Sequence, residues 1–426
     1  MNSAIQKGQA TRALIMATIA FAVNFSVWTL YSVMSIELKQ KLGLSGTQIG
    51  LLLSAPIITG ALFRLPIGIL CERYPSKLLF ILQMLIVVPP LFLLPRVESF
   101  NGYLITGLLI GISGVSFTIG IRYLTDWFES SEQGTAMGVF GAGNAGAALS
   151  LILVPYIKDV WGWQYIGPAY SAMMLATCIL FWLIAPKAPD YLHNTKRKTF
   201  YFFIKPLVHA KVWRFGLYYY FVFGSFLALI LWLPQYYVNA YNLPFNQAMA
   251  LTLLFVISSS MARAAGGWFA DRYGARNVNW SVFWICLICL FFLSYPPTTM
   301  IVHGVEKDVQ LYIELNVWVF TLLLLVIGLA QGFGRASVYK LINDYYPEQM
   351  GSVGGLVAML GALGGCTLPI LFGIAVDFAG VYSACFMLLY GVLAVCMLLM
   401  HLAIKRERHN QRVLNAQQHN FLEQDE

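Results

Sequence analysis

Long apolar runs separated by short polar stretches dominate this chain. Twelve such runs can be drawn, near residues 13–36, 47–70, 78–96, 102–124, 134–157, 166–185, 213–238, 246–270, 279–297, 311–334, 351–376 and 381–403. Runs of about 20 apolar residues cross a hydrocarbon layer ~30 Å thick as helices, the form that satisfies every backbone group within one segment. The pattern predicts an all-α membrane protein of twelve transmembrane helices. An even number of spans puts both termini on one side.

The only long polar interruption, residues 186–212, falls between spans six and seven. It predicts a six-helix half over 1–185, a linker over 186–212, a second six-helix half over 213–404 and a tail over 405–426. Lys187, Lys196, Arg197, Lys198, Lys205, Lys211 and Arg214 load the linker, and Lys405, Arg406, Arg408 and Arg412 load the tail. The opposite loops hold only scattered bases such as Lys39, Lys41, Lys158 and Lys307. Basic residues favour the cytoplasmic side, so linker and both termini are expected in the cytoplasm, with the chain in the cytoplasmic membrane. Lys7 and Arg12 precede the first run as in a signal peptide. That run, Ala13 to Ile36, is too long and lacks a small-residue cleavage site, so it reads as a retained first span.

Composition agrees. Of 426 residues 59% are hydrophobic and 11% charged, against about 25% charged in soluble domains; mean hydropathy is +0.69. The net charge of +8 follows membrane sidedness rather than forming a patch for a polyanion, so no nucleic-acid partner is expected. The seven cysteines lie in or beside apolar runs. Cys286-x-x-Cys289 reads as packing, and no metal or cofactor is expected.

Charge inside the runs carries the chemistry. Arg64 lies in LLLSAPIITGALFRLPIGIL and Arg263 in ALTLLFVISSSMARAAGGWF, at matching places in the two halves. Each is followed by a Gly four residues on (Gly68, Gly267) and an acid eight on (Glu72, Asp271). Then come Arg73-Tyr74 or Arg272-Tyr273, and a base (Lys77, Arg276). At 1.5 Å per residue each arginine sits ~12 Å inside its helix end, beyond comfortable snorkelling reach. An intramembrane arginine costs roughly 2.5–3.5 kcal/mol on insertion scales and is a functional hypothesis by default. Glu37, Glu72, Glu98, Asp126, Asp271, Glu314, Asp344 and Asp377 all fall at span ends or in loops. The buried cations therefore need an anion from elsewhere, and a transported one is the simplest. A guanidinium fork suits a trigonal oxyanion, which accepts two parallel hydrogen bonds.

A second repeat supports the division. Glu132-Gln133-Gly134 leads into GTAMGVFGAGNAGAALSLILVP on span five, and Glu348-Gln349-Met350-Gly351 into GSVGGLVAMLGALGGCTLPI on span eleven. Such repeats place a transporter's site between its halves. Gly141, Gly143 and Gly146, with Gly361, Gly364 and Gly365, give faces on which helices approach and slide. They are candidates for gating as well as for plain packing. Asn144, an amide in an apolar stretch, needs a hydrogen-bonding partner. Phe117, Tyr219 and Phe223 bring aromatic walls from spans four and seven, although aromatics on apolar helices more often face lipid or core.

GWFADRYGARN resembles the loop signature of the major facilitator superfamily, G-x-x-x-D-R-x-G-R-[RK], and GILCERYPSKL a degraded first copy with Glu72 for Asp and Pro75 for Gly. Its implied role is a cytoplasmic gate built on Glu72, Arg73, Asp271 and Arg272. GVFGAGNAGAAL and GGLVAMLGALGGCTLP resemble the two glycine-rich signatures of the nitrate/nitrite porters, the NarK-like family, over nearly the whole chain. The resemblance implies a major facilitator fold of two pseudo-symmetric six-helix halves and no enzymatic activity. It implies that Arg64, Arg263 and Asn144 bind nitrate or nitrite, with Tyr219, Phe223 and Phe117 as pocket aromatics.

GFGRASVYKLINDYYPEQMG resembles the shorter, proton-coupled subgroup, with Arg335 and Lys340 as its matched bases and protons as the second partner. Glu37, Asp126 and Lys340 are proton-carrying candidates by elimination only. Nitrate/nitrite exchange is the alternative coupling, and a small-carboxylate facilitator the rival substrate. A monomer is the expected state. A membrane-embedded enzyme would need clustered His, acidic or nucleophilic residues at membrane depth, and the sequence has none there.

Overall fold

The computed structural model describes residues 3–71, 73–128, 133–187, 208–303, 308–346 and 350–422. Glu72 and most of the linker lie outside them. Twelve helical segments are long and apolar enough to span a membrane: Lys7–Leu42, Gly46–Cys71, Ser76–Arg96, Phe100–Thr125, Ala136–Val160, Trp163–Ile184, Ala210–Tyr241, Phe245–Tyr273, Ala275–Leu293, Val317–Tyr345, Val353–Ala379 and Ala384–Asn410. They are spans one to twelve below. Spans one and seven are the most enclosed, and spans three, nine and twelve carry the most outward apolar surface. Spans one and seven, first in each set of six, are central, and spans three and nine, third in each, are peripheral, as a duplicated architecture requires. Exposed Ile86, Phe92, Ile105, Trp182, Phe292 and Leu398 belong to the lipid-facing surface.

Five spans are irregular at mid-depth. Span one breaks at Thr29, between helices Ser3–Trp28 and Leu30–Leu42. Span two breaks at Phe63, between helices Gly46–Leu62 and Arg64–Cys71. Spans four and five each tighten to a 3-10 turn, at Gly111–Val115 and Ala142–Ala145. Span seven widens to a π turn at Tyr220–Ser225. Mid-helix departures of this kind redirect side chains and recur at functional sites. Here they place Arg64, Phe117, Asn144, Tyr219 and Phe223 at or beside a break.

Several boundaries differ from the sequence reading. Span ten runs Val317–Tyr345 rather than 311–334. Its expected first residues form instead a two-stranded antiparallel hairpin, β1 Thr298–His303 with β2 Asp308–Ile313. Asp308 and Gln310 alternate there with Val309 and Leu311, a period of two that suits a strand. The helix of span twelve continues to Leu422, taking in most of the expected tail. The second set of six begins at Ala210, three residues ahead of the expected 213.

The two sets of six meet most tightly at the end away from the termini. Gly50 of span two lies so close to span eleven that a Cβ there would stand 2.3 Å from the Pro369 carbonyl oxygen, and one on Gly373 2.1 Å from that of Gly46. Asp377 closes this seam. Its carboxylate accepts from the Gly46 and Thr47 amides (both 2.8 Å) and from the Thr47 hydroxyl (2.7 Å), capping the helix N-terminus of span two from the opposite half. Ser54 donates to the Cys366 carbonyl deeper in the seam, and Ser32 of span one to that of Ile230 at 2.6 Å.

The cap carries a prediction. Asp377→Asn keeps the shape but removes the charge from three donors at a helix N-terminus, a loss of up to about 1 kcal/mol. Labelling of a Ser54→Cys reporter by a membrane-impermeant maleimide from that side is expected to rise several-fold. Unchanged labelling would mean the glycine packing seals the seam alone.

Candidate functional site

Below this seam the mid-depth breaks enclose a small cavity lined by Phe21, Phe25, Arg64, Phe117, Asn144, Tyr219, Phe223, Arg263 and Ala358. All six residues expected to bind the substrate line it. Its volume, about 10 Å³ open to the centre of a water molecule, is roughly one water's requirement. A four-atom anion therefore needs its walls to part.

Each arginine reaches the glycine helix of the other half. Arg64 of span two is 6% exposed, and its Nη1 donates to the Ala358 carbonyl of span eleven at 3.0 Å. Its guanidinium lies over the rings of Trp28 (5.4 Å) and Phe117 (5.6 Å), contacts that hold a cation by quadrupole attraction. Its Nε has no hydrogen-bond partner. Arg263 of span eight rests its guanidinium against Gly141 of span five, where an added Cβ would meet Cζ at 3.2 Å and Nη2 at 3.3 Å. Asn144 Nδ2 is likewise buried and unpartnered. Two cations and a free amide donor thus face a cavity whose described lining holds no carboxylate. Unpartnered buried donors of this kind are costly, and an oxyanion would satisfy them.

The aromatic walls are layered. Tyr219 stacks on Phe223 (5.2 Å, 18°) and meets Tyr339 edge-on at 5.1 Å. Opposite, Phe117 packs with Phe21 at 5.4 Å and with Phe140 at 5.7 Å. Sequence reasoning missed Phe21, Phe25 and Trp28. Their spacing, i, i+4 and i+7 on span one, puts them on one helix face but does not say what that face meets. Trp28 is itself fixed: its Nε1 donates to the Pro56 carbonyl at 2.8 Å, and its ring fills the space left by Gly60 and Gly114.

The remaining glycines mostly serve packing inside one half. A Cβ on Gly143 would stand 2.5 Å from the Phe21 ring, and one on Gly146 1.9 Å from the Ala22 carbonyl oxygen of span one. On span eleven Gly361 makes room for Tyr219, Gly364 for the backbone at Gly224, and Gly365 for Leu227, all on span seven. Of the six glycines singled out in sequence, Gly141 is the one that touches the opposite half.

The bases near the inner end divide differently from expectation. Arg335 is fully buried inside the second half. It donates to the Ser259 carbonyl (2.6 Å) and hydroxyl (2.7 Å), and lies 3.9 Å over the Phe226 ring. It is within electrostatic range of Arg263 but does not line the cavity. Lys340 pairs with Asp271 (3.0 Å) and Asp344 (3.6 Å), so the signature acid of the second copy ties spans eight and ten within one half. Arg272 lies over Trp268 and Tyr273 of its own helix, and Arg73 sits in an exposed turn. Glu37 pairs with Lys158 at 2.7 Å and Asp126 with Arg122. All seven cysteines are buried and none is in a disulfide.

Comparison with known proteins points the same way. The sequence model of the Major Facilitator Superfamily matches residues 16–306 and 309–423. The chain is 36% identical to the "Probable nitrate/nitrite antiporter NarK1" of Thermus thermophilus, over 92% of this chain and 91% of that protein. It is 27% identical to the "Nitrite extrusion protein" of Bacillus subtilis, over 88% and 90% of the two. With the "Probable nitrate transporter NarT" of Staphylococcus carnosus it shares 27%, over 92% and 96%. Among solved structures, a bacterial homologue of the human lysosomal transporter Spinster, inward-facing and occupied, has a TM-score of 0.72 at 13% identity, covering 93% of this chain and 97% of that one. A point mutant of the nucleoside transporter NupG has 0.69 at 17%, covering 92% and 99%. At those identities the likeness is one of fold.

Proposed function

Since this chain belongs to the nitrate/nitrite porter family of the major facilitator superfamily, we propose that it carries nitrate, with nitrite as a second substrate, inward across the cytoplasmic membrane by alternating access. Arg64 and Arg263 hold the anion between the halves 1–185 and 213–404, Asn144 donates to it, and Phe117, Tyr219 and Phe223 wall it. The observation that carries this reading is the meeting of two cations from opposite halves and an unpartnered Asn144 amide on one cavity. A ligand that bonds both arginines must be gripped by both halves at once. Its arrival engages the unpartnered Arg64 Nε beside the Nη1 bond to the Ala358 carbonyl, and its departure lets the inner ends separate.

For coupling we propose proton symport first. Moving one anion inward against ~100 mV costs ~2.3 kcal/mol, and a co-transported proton offsets that charge. We assign this role to the Asp271–Lys340–Asp344 cluster at the inner end of the second half, which contains Lys340. Nitrate/nitrite exchange is the second reading. The cavity's lining favours it, since fixed cations without a carboxylate suit swapping one anion for another.

Proteoliposomes separate the two. Under an inward proton gradient with no internal anion, symport predicts nitrate accumulation at least about fivefold above a gradient-free control, roughly the 1 kcal/mol that separates a driven from an undriven distribution. Uptake that ignores the gradient and requires internal nitrite would replace symport with exchange. Formate or oxalate competing as well as nitrate would overturn the substrate assignment.

A further inference from the structure

The hairpin between spans nine and ten has no place in the transport cycle described above, and its register divides it into two unlike faces. Cross-strand partners share a face. The pairs Thr298–Ile313, Met300–Leu311 and Val302–Val309 therefore set Met300, Val302, Val309, Leu311 and Ile313 side by side. The other face carries Thr299–Tyr312, Ile301–Gln310 and His303–Asp308. His303 and Asp308 form an exposed pair at 2.8 Å, and Tyr312 donates to Glu314 at 2.8 Å.

All five residues of the apolar face are 41–43% exposed, so none is packed on the helical body. A lone two-stranded hairpin is marginal in water unless an apolar surface receives it. The chain shows where that surface lies. Thr298 follows the last residue of span nine, Leu293, by only five positions, and Ile313 precedes the first of span ten, Val317, by four. The hairpin thus leaves the bundle at the membrane boundary, among outward-facing Phe291, Phe292, Tyr295 and Trp318. Such aromatics occupy the headgroup level of a bilayer.

We propose that the hairpin is an interfacial anchor: its Met300–Val302–Val309–Leu311–Ile313 face docks into the headgroup–acyl boundary of the leaflet on the side away from the termini. Its His303–Asp308 face stays in water. The strands pair their own backbone groups, so the ribbon enters the interface with only its outer edges needing polar partners, which that zone supplies. Anchored there, it restrains the ends of spans nine and ten, at the rim of the second half.

The test uses the full transporter in phosphatidylglycerol–phosphatidylcholine proteoliposomes. Leu311→Cys and Gln310→Cys, neighbours on opposite faces, each add one exposed thiol to a chain whose native cysteines are buried. An environment-sensitive fluorophore is attached at each. Lipid carrying a shallow acyl-chain spin label is expected to quench the Leu311 probe at least threefold more than the Gln310 probe, with aqueous iodide showing the reverse order. Should Leu311→Cys yield no folded protein, Val309→Cys reports the same face. Equal iodide quenching at both positions would put the apolar face in water and overturn the proposal. A Leu311 probe shielded from both quenchers, and released on dilution into excess lipid, would assign the face to a second copy of the chain instead.

Discussion

Nitrate uptake by Arg64→Lys and by Arg263→Lys is expected to fall at least 100-fold in kcat/KM, with folding and membrane insertion retained. Lysine keeps the charge, so the test isolates the fork. Arg64 uses one Nη on the Ala358 carbonyl and lies between two ring faces, an arrangement a planar cation fills and a compact ammonium does not. Its Nε is free for an anion at the same time. A lysine ammonium has three donors but no planar fork, so it cannot present two parallel N–H groups to the anion while holding the carbonyl in the same plane, and it gives up bidentate geometry. Losing a charge-assisted pair in a buried site costs about 3 kcal/mol, close to 100-fold. Nitrate-dependent thermal stabilisation measured on the same variants separates binding from turnover. If both variants transport and bind as wild type does, the arginines are structural and the proposed site is wrong.

The arginines were legible because cost and repetition both mark them: a cation at mid-depth is expensive, and the same spacing occurs twice. Asn144 was legible for the first reason alone. Phe117, Tyr219 and Phe223 were not separable from lipid-facing aromatics by pattern, and the motif resemblance was needed to single them out. Phe21, Phe25 and Trp28 stayed hidden for the same reason, since an aromatic stripe on an apolar helix has the same spacing whether it faces lipid or ligand. Arg335 was misplaced by a boundary. With span ten read as 311–334 it falls just beyond the helix end, whereas in Val317–Tyr345 it is a mid-helix residue, buried and bonded to Ser259. The hairpin caused that slip, because Val309, Leu311 and Ile313 extend the apolar run while Asp308 and Gln310 mark a strand. Asp377 was visible only as a span-end acid. Its capping role depends on a contact across more than 300 positions of chain, which no local pattern encodes.

Span five offers a graded test, in which one added methyl at three glycines should give three different outcomes. At Gly138 a Cβ meets nothing within 4 Å. Gly138→Ala should transport as wild type and melt no lower, since Ala in a helix is favoured over Gly by about 1 kcal/mol. At Gly146 the Cβ would stand 1.9 Å from the Ala22 carbonyl oxygen. Backbone on span one cannot rotate away, so spans one and five must separate, an overpacking cost of roughly 1–3 kcal/mol or more. Gly146→Ala is expected to lose most folded protein in size-exclusion and thermal-melt assays. Gly141 falls between them. Its Cβ would press the Arg263 guanidinium at 3.2–3.4 Å, the far end of a flexible side chain that can yield by a few tenths of an ångström. The fold should therefore survive Gly141→Ala with its melting temperature unchanged or higher, while KM for nitrate rises about 3- to 10-fold, that is by about 0.7–1.4 kcal/mol. This split, binding lost without stability, distinguishes a glycine that seats an arginine from one that only lets helices touch. A parallel fall in both quantities at Gly141 would show that it belongs with Gly146 as packing, and that Arg263 does not depend on the opposite half for its position.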